Sequence, residues 1–144
     1  MQVKNETPPN YSEIIAALPA VKEDTNAIFC YGNTIHNPRG RELTPDLIHH
    51  EKVHMRQQAL YTSPDIWWRK YLSCPAFRLS QEMEAYGEQY LFAKRLGARG
   101  KLLEWVLEDV SRAVSSPTYG SLISWNEAKS KIRNYTPPNA NKAS

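Results

Sequence analysis

The segment HHEKVH, residues 49–54, places three of the chain's four histidines around one glutamate. On an α-helix His50 and His54, four positions apart, lie on one face, so their imidazoles can hold a single metal ion. Glu51 can reach a water molecule on that ion without being a ligand itself. This H-E-x-x-H arrangement predicts a zinc site with two nitrogen ligands and a carboxylate that accepts a proton from the water. His49 points away from His54, and we interpret it as a surface residue or as support for a ligand.

A zinc ion that activates water needs three protein ligands and one open position. The predicted helix SQEMEAYGEQYLFAKRLG offers three glutamates. Glu82 falls on its apolar stripe, whereas Glu84 and Glu88 fall on the charged side. A carboxylate on a buried stripe is costly unless its charge is compensated, so Glu82 is the candidate third ligand. The alternative is a buried ion pair between Glu82 and an arginine such as Arg56 or Arg78.

The elements that must position these residues follow from capping and periodicity. A chain of 144 residues supports one core, so we predict a single domain over 1–144, with an ordered core at about 11–133 and flexible, proline-rich termini. AIFCYGNTIH predicts a small hairpin. Most other segments carry helix signals, which predicts a mainly α fold with a minor β-hairpin or small sheet. The predicted helices are SEIIAAL, Thr44 to about Leu60, SPDIWWRKYL, about Ser80 to Leu96, KLLEWVLEDVSRAV and SWNEAKSKI.

Composition excludes several classes of protein. The net charge of +3 is small and scattered, so charge does not indicate a nucleic-acid partner. No apolar run approaches the roughly 20 residues that cross a bilayer, and the N-terminal residues lack an apolar signal core. A cytoplasmic protein is therefore expected, with Cys30 and Cys74 as reduced thiols. The oligomeric state is not indicated by the sequence.

The motifs together resemble a known family. HEKVH, followed 28 positions after His54 by EMEAY, is similar to the gluzincin-type zinc metallopeptidases, and most similar to the compact minigluzincins and to short metallopeptidases of phages and bacteria. YGNTIHNPRG, HHEKVHMRQQ, FRLSQEMEAYGEQ and SPTYGSLIS have counterparts there in the same order, over about residues 27–132. The resemblance implies a zincin-like fold with an active-site helix and a glutamate helix. It also implies His50, His54 and Glu82 as zinc ligands and Glu51 as the general base.

One position departs from the pattern of the larger gluzincins, which often show E-x-x-x-D. The aspartate that braces a zinc-binding histidine is replaced here by Tyr86. A phenol lacks a carboxylate's charge, so the support of the ligands must come from elsewhere. Gln57 or Gln58, one turn beyond His54, are candidates, although both types of residue are ordinarily exposed to solvent.

The resemblance implies hydrolysis of a peptide bond in a peptide or protein substrate. Glu51 would accept a proton from the attacking water and deliver it to the leaving amine. Tyr119 in the SPTYG turn is a candidate stabiliser of the oxyanion, with His36, Tyr86 and Tyr90 as alternatives. The strand edge from Asn26 to Ile35 could pair with an extended substrate.

Aromatic residues are expected to anchor the helix packing. We assign this role to the four tryptophans, and expect one of the adjacent pair to face away from the core, where it could bind a partner. The tryptophans are Trp67, Trp68, Trp105 and Trp125.

A second function class stays open: a non-catalytic accessory or inhibitory binding protein, from a phage or a bacterium, with a structural or vestigial metal site.

Overall fold

A small three-stranded sheet stands beside the helices in the computed structural model, which describes residues 1–138. Its strands are β1 (Gln2–Lys4), β2 (Phe29–Tyr31) and β3 (Thr34–His36). β3 is central, parallel to β1 and antiparallel to β2. Gly32 closes the predicted hairpin with a positive φ of 60°, a conformation that favours glycine.

The N-terminus is a correction to the sequence prediction. We expected the ordered part to begin at about residue 11, but Gln2–Lys4 forms strand β1. The backbone N–H of Gln2 donates to the carbonyl of Asn33 at 3.0 Å, and that of Asn37 donates to the carbonyl of Lys4 at 2.8 Å. These bonds satisfy the otherwise open edge of β3, which a reading of local pattern alone could not detect.

Six α-helices make up most of residues 1–138, so the prediction of a mainly α fold with a small sheet is confirmed. Within that range no helix is both long enough and apolar enough to cross a bilayer. Two short 3-10 helices, Pro19–Glu23 and Pro117–Tyr119, lie in the connections. The α-helices are α1 (Tyr11–Ala17), α2 (Pro45–Ala59), α3 (Pro64–Ser73), α4 (Pro75–Arg95), α5 (Gly100–Val114) and α6 (Trp125–Arg133).

Helix starts follow the local signals, with one exception. Proline occupies the first turn of α2, α3 and α4, and Ser124 caps α6 by accepting the N–H of Glu127 at 3.2 Å. We predicted that α4 would begin near Ser80, because a proline such as Pro75 ordinarily interrupts a helix. The helix instead begins at Pro75, where the missing N–H needs no partner.

The core has two parts with the predicted zinc-binding residues between them. One packs α1, β2 and α3 around Trp67. The other packs α4, α5 and α6 around Leu107 and Ile132. Tyr119 packs against both parts, so the second 3-10 helix joins them next to the predicted site.

Two expectations about aromatic residues were wrong. Trp67 and Trp68 are both buried, because the second ring turns toward β2 and donates from Nε1 to the carbonyl of Cys30 at 3.1 Å. Trp105 and Trp125, expected as core anchors, are exposed. They lie on the outer faces of α5 and α6, whose inner faces supply smaller aliphatic residues to the core.

The C-terminal segment is ordered as far as it is described. The hydroxyl of Tyr135 donates to Glu88 at 3.2 Å, and the phenol ring lies against Gly87, where a Cβ atom would come within 2.4 Å of it. The expected flexible tail falls mainly on residues 139–144, which lie outside the described residues. Glu88, predicted on a charged face, is buried beneath this contact.

Candidate metal centre

Helices α2 and α4 pack side by side and bring three potential metal ligands together. Nε2 of His50 lies 3.1 Å from Nε2 of His54, and the carboxylate of Glu82 lies 3.5 Å from the first and 3.4 Å from the second. All three side chains are buried. Within residues 1–138 this is the one group of three or more His, Cys, Asp or Glu side chains with geometry suited to a metal ion.

The spacing of these atoms fits a bound ion. Two ligands at about 2.0–2.2 Å from a tetrahedral metal lie roughly 3.3–3.6 Å apart. The three distances of 3.1, 3.5 and 3.4 Å are close to that value. One carboxylate oxygen of Glu82, Oε2, is buried with no hydrogen-bond partner. An unpaired buried carboxylate oxygen is costly, and a cation beside it would remove that cost.

His54 is held by a chain of hydrogen bonds. Its Nδ1 lies 2.8 Å from Oε1 of Gln57, and Nε2 of the same glutamine donates to the carbonyl of Gln81 at 3.1 Å. That carbonyl only accepts, so the amide presents its oxygen to His54, which places a proton on Nδ1 and leaves Nε2 for a metal. Of the two candidates for this support, Gln57 contacts His54 and Gln58 does not, and both are buried although such residues are ordinarily exposed.

His50 has no corresponding support. Its Nδ1 is buried without a hydrogen-bond partner, and the ring of Tyr86 packs against its imidazole with centroids 4.3 Å apart. The Tyr86 hydroxyl instead lies 2.7 Å from the hydroxyl of Tyr119. The departure from the E-x-x-x-D pattern therefore leaves one of the two imidazoles without a brace.

Glu82 is positioned by a residue that sequence reasoning missed. The hydroxyl of Tyr71 on α3 donates to Oε1 of Glu82 at 2.5 Å. No arginine forms an ion pair with Glu82 among the described residues, so the alternative of a buried pair with Arg56 or Arg78 was wrong. Burial alone would raise the pKa of Glu82, but the neighbouring histidines outweigh it and hold that pKa well below the usual range.

Arg78 holds the two sides of the site together through backbone contacts. Its guanidinium donates to the carbonyls of Tyr71, Leu72 and Tyr119. The arginine thus ties the end of α3 to the second 3-10 helix.

A buried tyrosine hydroxyl needs a hydrogen-bond partner, and this requirement is the one sequence signal that could have pointed to Tyr71. The role of Arg78 has no such signal, because its partners are backbone atoms distant in sequence.

Glu51 lies beside the three ligands without forming part of the cluster. Its Oε1 is 4.0 Å from Nε2 of His50, and it is buried. Burial, only partly offset by the two histidines, raises the pKa of Glu51 above its ordinary value. A raised pKa increases the proton affinity of this carboxylate, which favours a role in proton transfer.

Tyr119 lines a cavity of about 50 Å³ together with all three potential ligands and Glu51. It is partly buried, and burial together with the charge of Glu82 raises the pKa of its phenol. The hydroxyl therefore stays protonated at neutral pH and can donate a hydrogen bond into the cavity. The sequence offers three alternatives to Tyr119 as the stabiliser of the oxyanion. His36 lies in β3, and Tyr90 belongs to the core around α5. The hydroxyl of Tyr86 forms a hydrogen bond with that of Tyr119.

The cavity at the cluster is small, and a hydrogen bond between two surrounding segments crosses it. A neighbouring cavity of about 120 Å³ reaches His50 and Glu51 from the other side. Across the two, the hydroxyl of Thr118 donates to Asp24 at 2.8 Å and links the second 3-10 helix to the end of the first. Access to the cluster in this conformation is therefore restricted.

The predicted strand edge is only partly available. Thr34 and Ile35 lie on the central strand β3, so this half of the Asn26–Ile35 prediction was wrong. β2 is the edge strand, and its Cys30 carbonyl already accepts from Nε2 of Gln58 and Nε1 of Trp68. Ile28, two residues earlier, lines both cavities at the cluster.

His49 and Gln58 fall outside the cluster. His49 stacks on Phe92 with ring centroids 4.4 Å apart, and its Nε2 is 3.6 Å from Glu88, so it is a half-buried residue packed against α4. Gln58 accepts the N–H of Gly32 at 2.8 Å and ties α2 to the hairpin. Neither side chain contacts a ligand.

The centre combines three metal-binding side chains, a buried carboxylate beside them and a phenol on the same cavity. Two imidazoles and one carboxylate form a donor set that leaves a coordination position open. No protein-family model, curated protein or solved structure matches the chain. The assignment of a function therefore depends on the geometry of these residues.

Proposed function

We propose that this chain is a zinc-dependent peptidase that hydrolyses peptide bonds in a peptide or protein substrate. The observation that carries the proposal is the juxtaposition of Glu51 with His50, His54 and Glu82, whose ligand atoms all lie within 4.8 Å of one another. This donor set suits zinc, which takes two histidines and a glutamate in one class of hydrolytic sites. Zinc held there would supply Lewis acidity and make an adjacent water nucleophilic at neutral pH.

The protein's own groups would then move the proton. Glu51 accepts it from the attacking water on a carboxylate oxygen and later donates it to the leaving amine. The raised pKa of Glu51 brings its proton affinity closer to that needed for both steps. Tyr119 donates a hydrogen bond to the developing oxyanion. Tyr86 orients that phenol through the 2.7 Å contact between their hydroxyls.

The setting we propose is the cytoplasm. Cys30 and Cys74 are free thiols, which suits a reducing compartment. The partner is a peptide or protein, and the small scattered charge offers no electrostatic basis for binding nucleic acid.

The test is the Glu51→Gln variant, compared with wild type after both are loaded with zinc. We expect wild type to cleave a mixture of unstructured peptides, and the variant to lose at least about 100-fold in kcat. Metal analysis should give one zinc per chain in both proteins, because Glu51 is not a ligand. A wild-type protein that binds no zinc contradicts the proposal. Equal cleavage by the two proteins also contradicts it.

A second candidate is a binding protein that uses the metal as a structural element. The small cavities of about 50 and 120 Å³ at the cluster favour it, because they do not admit a peptide without movement. This candidate predicts zinc binding and a large gain in thermal stability on loading, with no cleavage of any peptide. It also predicts that Glu51→Gln leaves the binding of a partner unchanged.

A further inference from the structure

A large open cavity lies outside the metal cluster, between the start of α2, the second half of α4 and α5. We name it the α5 groove. It encloses about 440 Å³ and is open to solvent. Its apolar walls include Leu102, which is 59% exposed, and Trp105, which is 63% exposed. Ligand pockets typically enclose about 300–1,000 Å³, a range that this groove meets and that the two cavities at the cluster do not.

Helix α5 carries two apolar faces, although only one is needed for packing. Leu107, Val110 and Val114 point into the core. Leu102 and Trp105 lie on an adjoining face that lines the groove, to which Val110 also contributes. A helix on the surface of a domain ordinarily buries its single apolar stripe and exposes polar residues elsewhere. An exposed tryptophan beside an exposed leucine is therefore the mark of a surface that binds another molecule.

The groove adjoins the cavity that reaches His50 and Glu51. Arg41, Leu47, Tyr86 and Ala113 line both the groove and the cavity that reaches His50 and Glu51. Tyr86 stands at the junction, with its ring against the imidazole of His50. A peptide chain that reached Glu51 after the bridge between Thr118 and Asp24 opened would thus extend toward the α5 groove.

A polar group beside the apolar walls lacks a partner. Gln89 lines the groove and is only 6% exposed. Its Nε2 donates to Oδ2 of Asp46 at 2.9 Å, while its Oε1 has no hydrogen-bond partner. The carboxylate can only accept, so it fixes which end of the amide faces away. A peptide backbone, with an N–H at every residue except proline, is the ligand that offers the missing donor.

The charges of the groove limit the ligand further. Two acidic residues, Asp46 and Asp109, and one basic residue, Arg41, line the groove. The guanidinium of Arg41 already donates to the carbonyl of Asn26 at 2.7 Å. An acidic side chain would meet two carboxylates, whereas an uncharged apolar side chain meets the walls of Leu102 and Trp105.

We propose that the α5 groove binds the part of a peptide substrate that flanks the cleaved bond, and selects a large apolar side chain there. This inference rests on the proposed function, which supplies the cleft that the groove extends. Trp105 and Leu102 are specificity-determining residues, and Gln89 accepts a backbone N–H of the peptide. Preference for phenylalanine or leucine over aspartate at this position follows.

The first experiment measures binding without cleavage, in the full-length Glu51→Gln protein with and without zinc. Three short peptides differ at one position, which is phenylalanine, serine or aspartate. The indole N–H signal of Trp105 is followed by NMR and assigned with Trp105→Phe. We expect the phenylalanine peptide to shift this signal and to bind about tenfold more tightly than the serine peptide, since a large apolar side chain is buried. The aspartate peptide should bind most weakly.

The matched control is the other exposed tryptophan, Trp125, which does not line the groove. Trp105→Ala should lose about tenfold in affinity for the phenylalanine peptide, whereas Trp125→Ala stays within about twofold. No shift of the Trp105 signal with any of the peptides overturns the inference, even if the enzyme is active. A shift that depends only on protein concentration also overturns it, because a second copy then occupies the groove.

Kinetics separate this inference from the proposed function. In zinc-loaded protein with Glu51 intact, Trp105→Ala should raise KM for the phenylalanine peptide about tenfold with little change in kcat, because it removes binding shared by ground and transition states. Binding of the peptide in the groove with no cleavage by wild type would refute the peptidase and leave the binding site standing. Cleavage with equal KM in Trp105→Ala and wild type would support the peptidase and refute the binding site in the α5 groove.

Discussion

The two histidines of the cluster lie one helical turn apart on α2, yet their surroundings differ. His54 is fixed by Gln57, which is itself fixed by the backbone of α4. His50 has an unpartnered Nδ1 and only the ring of Tyr86 against it. Both imidazoles line the cavity at the cluster, but only His50 also lines the second cavity, which shares Tyr86 with the α5 groove. The difference shows that hydrogen bonds set the ring orientation of only one of the two candidate ligands.

Removal of Glu82 should break both sides at once, because its carboxylate contacts both imidazoles. We expect Glu82→Ala to lower zinc affinity by more than the roughly 10–100-fold that loss of an outer partner causes. Competition with a chromogenic chelator measures the affinity. Glu84→Ala, two positions along α4 and outside the cluster, is the control and should bind zinc like wild type. Equal affinity in Glu82→Ala and wild type would exclude this carboxylate as a ligand.

The two tyrosines on the unbraced side should affect the reaction and not the metal. Tyr119→Phe removes the proposed donor to the oxyanion, so kcat should fall about 100-fold. Tyr86→Phe removes only the partner of that donor and should lower kcat about tenfold or less. Both variants keep one zinc per chain, because neither hydroxyl contacts a ligand nitrogen. A larger fall in Tyr86→Phe than in Tyr119→Phe would reverse the proposed roles.

The neighbouring glutamines on the braced side offer a matched pair. Gln57→Leu should lower zinc affinity about 10–100-fold, because His54 loses the acceptor that fixes its tautomer. Gln58→Leu should leave the zinc affinity unchanged. It should instead lower the free energy of unfolding by about 1–3 kcal/mol, since the N–H of Gly32 and the carbonyl of Cys30 lose a partner. Urea unfolding and chelator competition on both variants separate the two effects, and equal zinc affinities would show that Gln57 is no brace.

The pH dependence of zinc binding should report the proton that the metal displaces. Burial lowers the pKa of His54, but the charge of Glu82 outweighs burial and raises it to about 9 in the metal-free protein. The metal-free cluster therefore holds a proton at neutral pH, and zinc must displace it. Zinc affinity should rise by up to about tenfold per pH unit between about pH 7 and 9 and then level off. Calorimetry in buffers of different ionisation enthalpy counts the released proton. A zinc affinity that does not change with pH would contradict the raised pKa of His54.

Much of this centre is readable along the chain. His50, Glu51 and His54 follow from helical spacing, and Glu82 follows from one carboxylate on an apolar stripe. The pattern did not reveal Tyr71, whose hydroxyl holds Glu82 from a third helix. Strand β1 was missed for a similar reason, because its pairing with β3 joins segments about 30 residues apart and local propensity carries no information on such partners.

The amino-acid sequence by itself determined the chemical content of the site: two imidazoles and a carboxylate on one face of α2, and a second carboxylate on an inward stripe of α4. Helical periodicity is a local property, so these placements need no knowledge of the fold. Tertiary structure alone decided that His54 is braced and His50 is not. It also decided that Trp105 lines an open groove that adjoins the cavity at His50 and Glu51. These outcomes depend on which helices pack together, and packing is set by shape and burial across the whole chain.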